Sequence, residues 1–221
     1  AIYRITQVIK GLTMNHPVWA LVIKRIIDIV ISFIMLVIIW PLFVIISISI
    51  KLTSPGPVFY RGVRAGLRGV PFHILKFRTM VVDAESLGGP TTGTNDKRVT
   101  RIGAFLRRTK LDELPQFFNV LVGDMSLVGP RPEVLEYTAM YTDKEKIILS
   151  TRPGITDYAS IEFANLDDLV GNLDPDKYFR EHIMPRKTEL RIKYVKAWSL
   201  ITDFKILKAT FCRVVKRIID K

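Results

Sequence analysis

The chain has 221 residues with 33 Lys plus Arg, 21 Asp plus Glu and a single cysteine, Cys212. That length holds one domain plus a membrane element, and a lone cysteine excludes an intrachain disulfide, in keeping with a reducing compartment. Residues 1–50 supply only +3 of the formal +12 (Arg4, Lys10, Lys24 and Arg25 against Asp28), so the remainder carries +9 and suits phosphate-bearing substrates, acidic lipid headgroups or nucleic acid.

Residues 1–23 mix Ile, Tyr and Val with Arg4 and Lys10, which predicts a short interfacial segment. Residues 29–50 then run for 22 positions without a charge, between Lys24-Arg25 and Lys51. About 20 helical residues cross a hydrocarbon core of roughly 30 Å, so 24–52 is assigned as a membrane helix. It is too long for a signal-peptide core and no small-residue cleavage site precedes the charged region. Basic residues lie on both sides (Lys51, Arg61, Arg64 and Arg68 follow), which argues that both flanks face the cytoplasm. Pro41 sits near the middle, where it removes a backbone donor and bends the helix. Two geometries fit these residues: a helix that bends at Trp40-Pro41 and returns, and a spanning helix that tolerates a proline.

The remainder, 53–221, reads as a cytoplasmic domain. Turn chemistry at Ser54-Pro55-Gly56-Pro57 stops the helix. Val58-Phe59-Tyr60 and Phe72-His73-Ile74-Leu75 are strand-like runs around a Gly- and Arg-rich turn, a loose hairpin. Lys76-Phe77-Arg78-Thr79-Met80 follows, and the Gly/Thr-rich stretch 88–95 is either a surface loop or a lid. A helix is expected over 102–108 and a second one from Asp112, with Asp112 as its N-cap, Pro115 in its first turn and Gly123 at its end. Asp112-Glu113 is therefore read two ways: as helix capping, or as a carboxylate pair beside Arg107, Arg108 and Lys110. Carboxylates that can hold a divalent cation, next to cations that can hold phosphate, are the parts of a phosphoryl-transfer site. Arg131, between Pro130 and Pro132, is a guanidinium with little backbone freedom, suited to phosphate; Arg152-Pro153 repeats the theme.

Leu111-Asp112-Glu113-Leu114-Pro115-Gln116, Asn119, the run from Gly123-Asp124 through Ser126 to Gly129-Pro130-Arg131-Pro132, and Arg152-Pro153-Gly154-Ile155-Thr156 together resemble the bacterial sugar transferases, the monotopic phosphoglycosyl transferases of surface-glycan synthesis. Lys76-Phe77-Arg78-Thr79-Met80 and Ser54-Pro55-Gly56-Pro57 match as well, so the resemblance covers residues 24–159 in order. It implies transfer of a sugar 1-phosphate from a UDP-sugar to polyprenol (undecaprenyl) phosphate at the cytoplasmic face of the bacterial inner membrane, with release of UMP. It further implies Mg²⁺ and a covalent intermediate. Carried over, Asp112 is the nucleophile, Glu113 shares the metal with it, and Lys76, Arg107, Arg131 and Arg152 grip substrate phosphates. The resemblance also favours the re-entrant geometry, with the membrane helix broken at Pro41. Asp157-Tyr158-Ala159 departs from the Gly-Trp-Ala that often follows in the family, so the sugar is not carried over. The shortness of the chain fits a small member or a piece of a longer one.

The C-terminal third repeats apolar residues at steps of 3 or 4 (Leu190, Tyr194, Trp198, Ile201, Phe204, Leu207, Phe211, Val214) among Lys193, Lys196, Lys205, Lys208 and Arg213. That predicts a basic amphipathic helix or helix pair, which either packs on the domain or seats it, through Trp198, on anionic lipid. The expected fold is α+β and mainly helical: one proline-broken membrane helix, a catalytic domain with a small hairpin, and amphipathic interfacial helices. A homo-oligomer is compatible. Nucleic acid is not expected as a partner, because base-reading motifs and interleaved aromatics are missing. The competing class is an inactive membrane-anchored scaffold or anion-binding protein, and the intact Asp112-Glu113 pair argues against it.

Overall fold

The computed structural model of the chain describes residues 17–87, 96–163 and 175–219. Residues 1–16 of the interfacial segment expected over 1–23, and the lid over 88–95, lie outside the described residues.

Helix α1 (Val18–Thr53) starts ahead of the expected boundary at 24 and stays helical through Pro41. Its 36 residues make about 54 Å of helix, longer than a hydrocarbon core is thick. Phe33, Val37, Ile38, Trp40 and Ile45 are each at least 60% exposed, an apolar surface that water does not favour. It is the one helix, among the described residues, long and apolar enough to cross a membrane.

Both ends of α1 are fastened to the domain. Near the start, Lys24 Nζ donates to the Val128 carbonyl (2.9 Å) and to Asp203 Oδ2 (2.5 Å). Arg25 donates to the carbonyls of Val120 (2.6 Å) and Leu121 (2.9 Å), and Asp28 Oδ1 accepts from the Leu127 amide (3.0 Å). Near the other end, Phe43, Ile46 and Ile50 join Phe77 and Leu106 in a buried cluster. Phe43 also meets Phe118 edge-on, with ring centroids 5.9 Å apart.

The hairpin is longer than expected. Strands β1 (Phe59–Ala65) and β2 (Pro71–Phe77) pair antiparallel, Phe59 opposite Phe77 and Ala65 opposite Pro71. Buried Arg78 fastens the turn between α1 and β1, its NH2 donating to the Ser54 carbonyl (2.8 Å) and its NH1 to that of Pro55. Helices α2 (Arg101–Thr109) and α3 (Gln116–Val122) follow, then β3 (Ser126–Val128), α4 (Leu135–Ala139), β4 (Gly154–Thr156) and α5 (Tyr158–Glu162). The parallel pairing of β3 with β4 was not expected from the sequence. Just beyond it the backbones touch: a Cβ on Gly154 would lie 2.1 Å from the Gly129 nitrogen, so the crossing requires glycine.

The C-terminal helix pair is present. Helix α6 (Pro175–Tyr178) passes through a π-helical turn, Phe179–Ile183, into α7 (Met184–Lys196), and α8 (Leu200–Ile219) follows. Val120, Met125, Leu127, Val128, Tyr194, Val195 and Ile206 form the main core between β3, α3 and these helices. Trp198 belongs to that core and not to a membrane-seating face: it is 8% exposed and its Nε1 donates to Asp203 Oδ2 at 3.2 Å. The exposed apolar row of α8 is instead Ile201, Phe204 and Phe211.

Candidate active site

The site grows from a helix that stops abruptly. Thr100 caps α2, its Oγ1 accepting from the Gly103 amide at 3.0 Å. A Cβ on Gly103 would stand 1.9 Å from the Thr79 carbonyl oxygen, so only glycine lets α2 lie this close to the Lys76–Met80 motif. At the other end Lys110 takes a left-handed conformation (φ 60°, ψ 15°) and donates back to the Arg107 and Leu106 carbonyls. The chain then closes a 3-10 turn, Leu111–Glu113, whose flanking Leu111 and Leu114 pack against the Phe43, Ile46 and Ile50 cluster. The acidic pair is thereby pinned beside the second half of α1.

Asp112 is not the N-cap expected of it. Helix α3 begins at Gln116, and Asp112 lies inside the preceding turn, 6% exposed, with Oδ1 lacking any hydrogen-bond partner. Burial pushes its carboxyl above the ordinary aspartate range, and the neighbouring Glu113 charge pushes it further; Lys76, Lys110 and Arg107 pull back without prevailing.

Glu113 is treated differently. Burial alone raises it, but Arg131 and then Lys76 outweigh that and hold it well below the glutamate range. Lys76 Nζ lies 3.3 Å from Glu113 Oε1, and Arg131 NH2 donates to the same oxygen. Asn119 makes this meeting possible: its Oδ1 accepts from the Leu75 amide and its Nδ2 donates to the His73 carbonyl, both at 2.8 Å, strapping α3 to β2. Arg107 Nε donates to Thr79 Oγ1 at 2.9 Å, and its charge pulls the carboxyls of Asp112 and Asp96 downward.

The structure thus gathers Asp112, Glu113, Lys76, Arg107 and Arg131. Arg152 is not gathered with them. Its Nε donates to the Gly123 carbonyl (3.0 Å) beside Arg25, at the opposite end of α3 from the dyad. Pro41 sits in the exposed middle of α1.

Among the described residues no three His, Cys, Asp or Glu side chains cluster as a metal cage. A magnesium ion needs no such cage, because one or two carboxylates plus substrate phosphates suffice. The unpartnered Asp112 oxygen next to Glu113 fits that requirement.

The sequence gives no individual role to Arg78, Asn119, Asp28 or Arg191, and the stretch Asp157-Tyr158-Ala159 is expected to bear on substrate preference or lipid contact. Arg78 and Asn119 show only as members of the family motifs, and Asp28 as a carboxylate at the edge of an apolar run, which is costly unless partnered.

Residues 19–217 match the bacterial sugar transferase family. The chain belongs to that family. Over 202 residues this family member is 39% identical to the UDP-glucose:undecaprenyl-phosphate glucose-1-phosphate transferase of Escherichia coli (strain K12), a match covering 90% of this chain and 41% of that protein. The protein of the same description in Caulobacter vibrioides is 37% identical over 190 residues, 85% of this chain and 67% of its own length. A putative undecaprenyl-phosphate N-acetylgalactosaminyl 1-phosphate transferase of Bacillus subtilis (strain 168) is 49% identical over 124 residues, 56% of this chain and 69% of that protein. The chain spans about two fifths of the length of the Klebsiella pneumoniae and Escherichia coli relatives it matches. The dyad, Arg131 and Lys76 all lie within the matched residues.

Proposed function

We propose that the protein transfers a sugar 1-phosphate from a UDP-sugar to a polyprenol phosphate, such as undecaprenyl phosphate, and releases UMP. The observation that carries this reading is the contrast within the dyad: a buried Asp112 oxygen with no partner, beside a Glu113 already clamped by Arg131 and Lys76. The partnered carboxylate orders the cations; the unpartnered one is left to react. In the first step an Asp112 oxygen attacks the phosphorus bearing the sugar, and the bond from that phosphorus to the bridging oxygen breaks, so UMP leaves with the oxygen. In the second, a phosphate oxygen of the polyprenol attacks the same phosphorus and displaces the Asp112 carboxylate, giving a polyprenyl diphosphate sugar. Arg131, Lys76 and Arg107 offset the repulsion between carboxylate and diphosphate. Magnesium, when bound, would be held by Asp112 and Glu113 and would add to that neutralisation.

The acceptor cannot leave the headgroup layer, so the site has to sit there. The membrane helix is read as re-entrant on the cytoplasmic face of the inner membrane. A straight helix would hold Arg25 and Phe43 about 27 Å apart. Yet both touch α3, Arg25 at the Val120 and Leu121 carbonyls and Phe43 at the Phe118 ring, and α3 is only about 10 Å long. A change of direction at Pro41, between them, reconciles the two contacts. The row Ile201, Phe204 and Phe211, flanked by Lys205 and Lys208, supplies α8 with a face for anionic lipid.

The test is a UMP-release assay across several UDP-sugars with undecaprenyl phosphate and Mg²⁺, paired with mass spectrometry in the absence of acceptor. A phosphosugar adduct on Asp112 is expected. UMP release without an adduct would point to direct displacement, and no release with any UDP-sugar would overturn the reading.

A further inference from the structure

Arg131 has three attachments, and only one faces the dyad. Its NH2 meets Glu113, its NH1 donates to the Ile155 carbonyl at 2.7 Å, and its backbone amide donates to Asp157 Oδ2 at 3.0 Å. Asp157 is fully buried. Its Oδ1 caps α5, accepting from the Ser160 amide (2.6 Å) and hydroxyl (2.7 Å).

A cap needs one oxygen and no charge, since Asn and Ser cap as well as Asp. The second oxygen has other work. It lies 3.6 Å from Arg191 Nε as well as on the Arg131 amide, and Arg191, 1% exposed, sends its NH2 to Glu133 Oε1 at 2.7 Å. Asp157 therefore joins the backbone of the Pro130-Arg131-Pro132 segment to Arg191 on α7, which pairs in turn with Glu133. A buried carboxylate costs more than capping alone offsets, and the Arg131 amide and the Arg191 charge make up the difference.

We infer that Asp157 is a positioning residue for phosphate recognition, backed by Arg191 and Glu133, which keeps Arg131 anchored while its NH2 exchanges Glu113 for a substrate phosphate oxygen. Two of the three attachments survive that exchange, and the flanking prolines restrict the backbone between them. The guanidinium then meets the substrate without being reordered, which is how preorganisation lowers the cost of binding. This inference rests on the reading of Arg131 as a phosphate ligand.

The experiment uses the full chain in lipid nanodiscs with Mg²⁺, and titrates UDP and, separately, inorganic pyrophosphate. Four proteins are compared: wild type, Asp157→Asn, Arg131→Gln and the double variant. Asn keeps the cap. Asp157→Asn is expected to weaken both anions about tenfold. In the Arg131→Gln background the same substitution should change affinity by less than about twofold, while lowering the unfolding temperature equally in both backgrounds. Equal loss of affinity in both backgrounds would make Asp157 merely structural and overturn the inference, as would an unchanged affinity in the single variant. If wild type binds pyrophosphate but not UDP, the nucleotide part of the proposed function falls while pyrophosphate still decides the tether. If Arg131→Gln binds both anions like wild type, or wild type binds neither, Arg131 is no anion ligand and both readings fall. Should Asp157→Asn not fold, Arg191→Lys gives the same comparison, because it keeps the buried charge but loses the fork between Glu133 and Asp157.

Discussion

Asp112 and Glu113 are adjacent in the chain, yet Arg131 and Lys76 both engage Glu113, while Asp112 keeps a buried oxygen without a hydrogen-bond partner. The pair divides its labour by surroundings. An ionised oxygen without partners is expensive to maintain, and such expense concentrates where chemistry occurs.

Asp112→Asn should therefore separate activity from stability. UMP release is expected to fall by about a thousandfold or more, because an amide is not a nucleophile here. Thermal unfolding should shift upward, by about 1 kcal/mol in free energy, since the variant no longer buries a charge whose neutral form is favoured. A variant with wild-type turnover would end the covalent scheme; one that is destabilised would end the electrostatic account.

The pair between Arg191 and Glu133 predicts a pH dependence. Burial pushes Glu133 up, but Arg191 and then Lys187 outweigh it and hold the carboxyl below its ordinary value of 4.5. A depressed folded-state pKa stabilises above the unfolded value and loses that contribution on acidification, so this share of stability is present above about pH 4.5 and fades below it. Arg191→Met strands Glu133 and should cost about 3 kcal/mol or more at pH 7. The difference from wild type should shrink as pH falls and Glu133 takes a proton. Denaturant unfolding at pH 7 and at pH 4 checks both the size and the sign.

Gly103→Ala is expected to damage the site from a distance. The added methyl would collide with the Thr79 carbonyl, whose neighbouring hydroxyl orients Arg107. A clash against backbone forces α2 away, at about 2 kcal/mol or more, and activity should fall further than the stability loss explains. Rates measured well below the unfolding temperature distinguish the two effects.

The membrane geometry has its own test. Single cysteines replacing Trp19 and Leu52, each in a Cys212→Ser background, should both react with an impermeant maleimide from the cytoplasmic side only. Labelling from opposite sides would establish a spanning helix and remove the re-entrant reading.

Much of this organisation is written locally. Helix α1 shows as a long apolar run without charge, the hairpin as two apolar runs around a Gly-rich turn, and the dyad as a motif with cations nearby. Arg131 and Arg152 look alike in sequence, each beside a proline, but the fold sends them to opposite ends of α3; only tertiary placement tells them apart. Three-residue strands such as β3 and β4 carry no readable periodicity and pair across a long separation. Arg191 is likewise silent, and Asn119 and Arg78 show only as motif members without a role, since each acts on partners from distant segments.

Strand β3 is gripped by the first half of α1, through Lys24 at Val128 and Asp28 at Leu127, and three residues later the chain reaches Arg131. Tilting or sinking that helix drags the strand, and with it the guanidinium. With α1 seated in a bilayer as proposed, lipid thickness sets the height at which Arg131 stands relative to the headgroups.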